Sequence, residues 1–349
     1  MKIGMLTFHY TMNIGANLQC YALNSFINKN ICRCEIIDFY PFKKRRANFL
    51  HKIYHLLRKK FSREKKFCSF RKKYYLLGTN KFYADDNIDA LNNLYDVFLS
   101  GSDQIFNTNL TNGSSVYYLS FVKNKKRVSY ASSFGTSNLN DIEKLYVIKY
   151  LSKFDDLSCR EYNGSEQISL LLDKKNKPPT VVDPVFLLSK KEWHNLAKTK
   201  NMPKNYVFIY LMEDNNDVNN IIDFFSKRML SVYLIKGSEF TVNGEEKCII
   251  INNCGPLDFL SFVNNASYVV TNSFHGLAFS IIFDKKVIAL KHSTRNCRLE
   301  TLLNIIGEKD NFYKNLHDVS YYVIDSSRRN SDLESKIKES KSYLFKSLS

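Results

Sequence analysis

Short apolar runs that end in small polar residues alternate along this chain with segments whose apolar residues recur at helical spacing. KIGMLTF is an extended apolar run and HYTMNIGAN a polar turn with one glycine. LQCYALNSFINKN then reads as a helix carrying Leu18, Tyr21, Ala22, Leu23 and Phe26. CRCEIIDFYP follows as a second strand that stops at Pro41, completing a β-α-β unit of a doubly wound sheet. YDVFLSGS and RVSYASSF are further strands, with the polar ends at which open α/β sheets place ligands.

The second half repeats the scheme. TVVDPVFLL reads as a strand leading into a connector, and KKEWHNLA begins a helix. NYVFIYLM, SVYLIKG and KCIIIN are strands of the buried type. PLDFLSFVNNA is a helix, and SYVVTNS a strand that runs through FHG into the apolar helix LAFSIIF. KVIAL is a strand, RLETLLNIIG an amphipathic helix, and 326–349 a charged terminal helix. The pattern predicts an α/β chain of two Rossmann-like doubly wound domains with a cleft between them, at 1–184 and 185–325, followed by the helix 326–349.

Composition sharpens this picture. The 349 residues, 44% hydrophobic and 14% aromatic, suit two ordinary domains. MKIGMLTFHY lacks the apolar core and cleavage site of a signal peptide, and no run approaches the ~18–20 apolar residues of a spanning helix. A cytoplasmic protein is expected. The eight cysteines form no CxxC pair, and no histidine cluster accompanies them, so neither zinc nor a disulfide framework is indicated. The net charge of +17 is concentrated at 43–73, where fourteen Lys/Arg meet the single acid Glu64. Phe49, Ile53, Leu56, Leu57 and Phe61 recur there at helical spacing. A solvated arm, nucleic acid and an anionic membrane surface all fit a basic run. The amphipathic pattern suits a headgroup interface better than base reading, which places the protein at the inner face of a membrane, without a nucleic-acid partner.

Five places could carry chemistry. Asn13, Gly15 and Asn17 lie in a strand-to-helix turn, either a structural turn or a contact for an anion or sugar. Ser102 and Asp103 end the strand YDVFLS, where Asp103 can take a hydroxyl proton or cap the next helix. Arg160 in SCRE is a fork for carboxylate or phosphate, or a partner of Glu161. Asn272, Ser273 and His275 sit between a buried strand and an apolar helix, at its anion-favouring end, where His275 is either functional or a core histidine. Lys291, His292, Arg295 and Arg298 follow the next strand, and clustered cations there suit a small, highly anionic ligand.

Seven blocks in order resemble the polysaccharide pyruvyltransferase family over residues 1–307. They are KIGMLTFHYTMNIGANLQCYAL, GSDQIFN, YYLSFVKNKKRVSYASSFG, SCREYNG, VVDPVFLL, GPLDFLSFVNNASYVVTNSFHGLAFSIIF and RLETLLNIIG. The resemblance implies a GT-B-like fold, phosphoenolpyruvate as donor, no cofactor or metal, and a pyruvate ketal on a lipid-linked oligosaccharide or polysaccharide repeat unit. It also implies donor binding by Arg160 and His275. His275 would be the general acid toward the methylene carbon and Asp103 the base for the acceptor hydroxyl. Some relatives read Arg-Leu-His where this chain has Ser273-Phe274-His275, so the missing cation falls to Lys291, His292 or Arg295. Two other classes remain open: a GT-B glycosyltransferase using a nucleotide sugar, and a non-catalytic nucleic-acid-binding module.

Overall fold

Runs that are apolar on both faces need cover on both sides, and doubly wound sheets supply it. The computed structural model describes residues 1–44, 63–136, 138–173, 177–197, 202–293, 296–309, 311–314, 318–327 and 331–349. The chain divides into two units, one holding Met1–Phe61, Cys68–Leu187 and Ser335–Ser349, the other Ser62–Phe67 and Leu188–Glu334.

In the first unit, β1 (Lys2–Leu6), β2 (Arg33–Tyr40), β3 (Leu77–Tyr83), β4 (Val97–Ser100) and β5 (Lys126–Ser129) form an all-parallel sheet in the order β3-β2-β1-β4-β5. The helix Ile14–Asn30 crosses from β1 to β2 and buries Leu18, Ala22, Leu23 and Phe26 against the sheet. Its start is set by Asn13, whose Oδ1 accepts from the Ala16 amide at 3.0 Å. Beyond β5 the sheet continues among the described residues as single parallel bridges, Val128 to Asp156, Ser132 to Cys159 and Cys159 to Thr180. TVVDPVFLL is therefore not the strand its apolar run predicts. It makes one bridge at Thr180, and Pro184–Leu187 then closes into a 3-10 turn, because proline can begin a helical turn but cannot donate to a ladder.

In the second unit, β6 (Tyr206–Leu211), β7 (Ser231–Lys236), β8 (Ile249–Ile250), β9 (Tyr268–Thr271), β10 (Lys286–Ala289) and β11 (Ile324–Asp325) run in the order β11-β10-β9-β6-β7-β8. Only β11 is antiparallel. All six residues of β6 are buried, as a central parallel strand requires. The helix Val218–Ser226 turns Ile221, Ile222 and Phe225 to the core, and Trp193 is fully buried with its ring edge-on to Phe279 at 4.9 Å.

The terminal helix Ser331–Ser347 adds its residues from 335 onward to the first unit. Tyr343 donates to the Ser129 carbonyl at 2.9 Å, and Ser340 Oγ accepts from the Val182 amide at 3.0 Å. Counted within each unit, both sheets follow the Rossmann order 3-2-1-4-5, the second adding a sixth strand. Strand order therefore reverses between β1 and β4, and again between β6 and β9. Among the described residues no helix is long and apolar enough to cross a membrane.

Candidate functional site

Open α/β sheets bind ligands outside the carboxyl ends of their strands, at the point of order reversal. In the first unit that point lies between the loop after β1 and the Gly101-Ser102-Asp103 turn after β4. The two are tied: Thr7 Oγ1 donates to the Ser102 carbonyl at 2.9 Å and accepts from Gln19 Nε2 at 2.9 Å. Asp103 has a backbone φ of 77°, a region that costs a non-glycine residue about 1 kcal/mol or more. That turn sets its carboxylate beside Arg160, with Asp103 Oδ1 3.5 Å from Arg160 Nη2.

Arg160 is buried and does not pair with Glu161. Its Nη1 meets Asp183 Oδ2 at 2.6 Å, and the Asp183 side chain is fully buried. Burial alone would pull the guanidinium down, but Asp183, then Asp103 and Glu161, hold it above its ordinary value. Glu161 instead accepts from Ser133 Oγ at 2.6 Å and from the Phe134 amide at 3.1 Å.

Of the turn residues, Asn17 is fully committed to structure. Its Nδ2 donates to the Thr11 and Asn13 carbonyls at 2.8 Å each, and its Oδ1 accepts from Tyr75 OH at 3.1 Å. Gly15 is buried in the first helical turn. Asn13 is exposed but caps that helix. Ser102 is fully buried, and its Oγ has no hydrogen-bond partner among the described residues.

In the second unit the reversal lies between the loops after β6 and β9, and Asn272 joins them. Its Oδ1 accepts from the Met212 amide at 2.7 Å and its Nδ2 donates to the Glu213 carbonyl at 3.0 Å. Ser273 caps the helix Phe274–Ile282, accepting from the Gly276 amide at 3.4 Å. His275 occupies the first turn of that helix, nine-tenths buried, with its ring edge-on to Phe274 at 5.2 Å. The strand end and the helix approach so closely that a Cβ on Gly276 would stand 2.2 Å from Thr271 Oγ1. Glycine alone fits, which lets the first turn of the helix pack directly on the end of β9.

Of the three cations expected to replace the family arginine, two are visible. His292 Nδ1 lies 3.3 Å from Glu213 Oε1, so that ring nitrogen already faces a carboxylate. The Lys291 ammonium stands 5.7 Å over the Phe312 ring. Arg295 lies outside the described residues, as do Phe49, Ile53, Leu56, Leu57 and Phe61 of the basic segment.

Several polar groups at these sheet ends escape a reading by motif. His9, 2% exposed, places Nε2 2.8 Å from Asp38 Oδ1, and the carboxyl lies at the end of β2. Burial would raise Asp38, but the His9 hydrogen bond and charge, followed by the Lys81 charge, hold it below the usual carboxylate range. Around them stand Tyr10, Tyr40, Phe42 and Tyr83, with the Lys81 ammonium 4.1 Å over the Tyr40 ring. The available signal was a histidine three residues past the first strand, within the same turn as Asn13. Asp183 and Glu213 gave no local signal. Among the described residues no group of three or more His, Cys, Asp or Glu is placed to hold a metal ion.

Residues 13–294 match the family described as polysaccharide pyruvyl transferase. No curated protein sequence matches the chain. Among solved structures it is similar to UDP-GlcNAc 2-epimerase from Neisseria meningitidis bound to UDP-GlcNAc. The TM-score is 0.55, with 10% identity over 99% of this chain and 100% of that one. It is also similar to the UDP-GlcNAc 2-epimerase of Methanocaldococcus jannaschii in complex with UDP-GlcNAc and UDP. There the TM-score is 0.50, with 12% identity over 98% and 100% of the two chains. At that identity the likeness establishes the fold, the GT-B type built from two Rossmann-like sheets. The family match runs from the cap of the first helix to the loop after β10 and takes in the β4 side of the first reversal point and the whole of the second. The chain belongs to the polysaccharide pyruvyl transferase family.

Proposed function

We propose that the protein transfers pyruvate from phosphoenolpyruvate to two hydroxyls of one sugar in a cell-surface or capsular polysaccharide precursor. The observation that carries this reading is the position of His275 within the family match, on the first turn of a helix at the reversal point of the second sheet. Helix N-termini favour anions through their amides and dipole, and phosphoenolpyruvate brings a carboxylate and a phosphate.

The atoms balance as follows. His275 delivers a proton to the methylene carbon, making it a methyl group and leaving an oxocarbenium-like C2. The first sugar hydroxyl adds to C2 and gives its proton to Asp103. The second hydroxyl adds as the C2–O bond to phosphate breaks and passes its proton to the departing phosphate, so a ketal and inorganic phosphate leave. Exchange with solvent returns a proton from Asp103 to His275. Ser273 and Asn272 hold the donor turn, and Lys291, His292 and Arg295 supply charge around it. Arg160 contributes through the looser of its two carboxylate partners, Asp103, which a donor anion can displace more readily than Asp183. The acceptor is a lipid-linked oligosaccharide or repeat unit, met at an anionic membrane surface through residues 43–73. No cofactor takes part.

The test is incubation of the full chain with phosphoenolpyruvate and a panel of lipid-linked sugars, with phosphate release and acceptor mass followed together. Donor-dependent gain of a pyruvyl group on one acceptor supports the reading. Release of a nucleotide from a nucleotide sugar, with phosphoenolpyruvate inert, overturns it.

A further inference from the structure

The second unit contains a pocket of about 650 Å³ past the carboxyl ends of β7 and β8. Arg63, Lys236, Glu239, Phe240, Thr241 and Ile250 are among its lining residues. The Lys236 ammonium is occupied, donating to the Phe240 carbonyl at 2.6 Å and to Glu245 Oε2 at 2.9 Å. Arg63 is different: its Nε is buried without a hydrogen-bond partner, and no carboxylate pairs with the guanidinium among the described residues. A buried donor left unmet is penalised, more so when charged, so a ligand that supplies the acceptor is favoured. Glu239 is an exposed lining residue with no ion-pair or hydrogen-bond partner among the described residues. Ile250 is 38% exposed, although it is an apolar residue of a strand.

These groups suit one ligand chemistry. In Rossmann halves an acidic side chain just past the second strand accepts from a ribose hydroxyl pair, and β7 is the second strand of this unit. The usual phosphate seat, the turn after the first strand, is closed to anions here. It reads Met212 to Asp217 with three acids and no glycine. A phosphate must find its cation elsewhere, and Arg63 is a planar fork suited to it.

We propose that this pocket binds a ribonucleoside 5′-phosphate, with Arg63 on the phosphate, Glu239 on the ribose hydroxyls and the base packed on Phe240 and Ile250. Its test requires no turnover.

Calorimetric titration of the full chain with the common ribonucleoside 5′-diphosphates decides it. At least one should bind. Arg63→Gln should weaken that binding tenfold or more, and Thr241→Trp, a bulky change on an exposed residue, should abolish it. The 2′-deoxy analogue should bind more weakly to the wild type, and Glu239→Gln should remove the difference. Failure of every nucleotide to bind overturns the proposal. So does unchanged binding in Arg63→Gln or Thr241→Trp, equal affinity for the 2′-deoxy analogue, or inorganic pyrophosphate binding as tightly as the nucleotide.

Discussion

Arg160 Nη1 and Asp183 Oδ2 lie 2.6 Å apart with both side chains buried, so the arginine of the SCRE block is half of an internal ion pair. Removing one partner of such a pair leaves an uncompensated charge, at a cost of about 3–5 kcal/mol. Asp183→Asn should therefore destabilise the first unit by that amount in urea denaturation. A loss within about 0.5 kcal/mol, the range of ordinary surface changes, would contradict the pairing. Arg160→Lys keeps the charge but loses the fork, so apparent affinity for phosphoenolpyruvate should also fall. Unchanged affinity would confine Arg160 to structure.

The pair formed by His9 and Asp38 predicts a pH dependence. The folded-state pKa of Asp38 is depressed, so its stabilisation is fully present above the unfolded value of about 3.9 and is lost as pH falls through the folded value. Asp38→Asn should destabilise the protein at neutral pH by about 1.5–3 kcal/mol, the usual worth of a hydrogen bond to a charged group. The gap from wild type should close below about pH 4. Denaturation curves at neutral and acid pH measure it, and a gap that persists unchanged in acid would refute the assignment.

The basic segment predicts membrane binding that depends on charge. Liposome co-sedimentation should require anionic lipid and weaken with salt, because about 1 kcal/mol per surface cation is screened within a Debye length. Equal binding to neutral liposomes, or no binding to either, would remove the membrane from the account.

Much of this was legible in the chain, for a physical reason. KIGMLTF, NYVFIYLM, SVYLIKG, SYVVTNS and KVIAL are strands because a central parallel strand must be apolar on both faces, and that requirement is written locally. β3 was not legible: Leu77–Tyr83 reads LGTNKFY, half-exposed at the sheet edge, and pairing with β2 decides its state. The helix Asp141–Tyr150 was hidden as well. Ile142, Leu145 and Ile148 stay exposed while Glu143 is buried, accepting from the Thr108 amide at 2.9 Å. At the site, the residue types at strand ends could be read, but their partners could not. Asp183 reaches Arg160 across 23 positions and Asp38 reaches His9 across 29, distances over which no spacing rule operates. Ser273 shows the same limit, since only the folded chain reveals that His292 already faces Glu213.

His275 is the acid in the proposed reaction. His275→Gln preserves size and hydrogen bonding but cannot deliver the proton, so turnover should fall by roughly 10²–10⁴ with donor affinity largely kept. A fall in affinity alone would make it a phosphate ligand. Near-native turnover and affinity would return it to the helix core.

The most direct measurement traces the donor carbon. Phosphoenolpyruvate labelled with carbon-13 at C2 is incubated with the full chain and a lipid-linked sugar, and the product is read by NMR. A labelled quaternary ketal carbon bonded to two oxygens of one sugar residue, and correlated with that residue's protons across them, should form together with inorganic phosphate. Label that stays in phosphoenolpyruvate, or appears only as free pyruvate, with every acceptor tried, would contradict it.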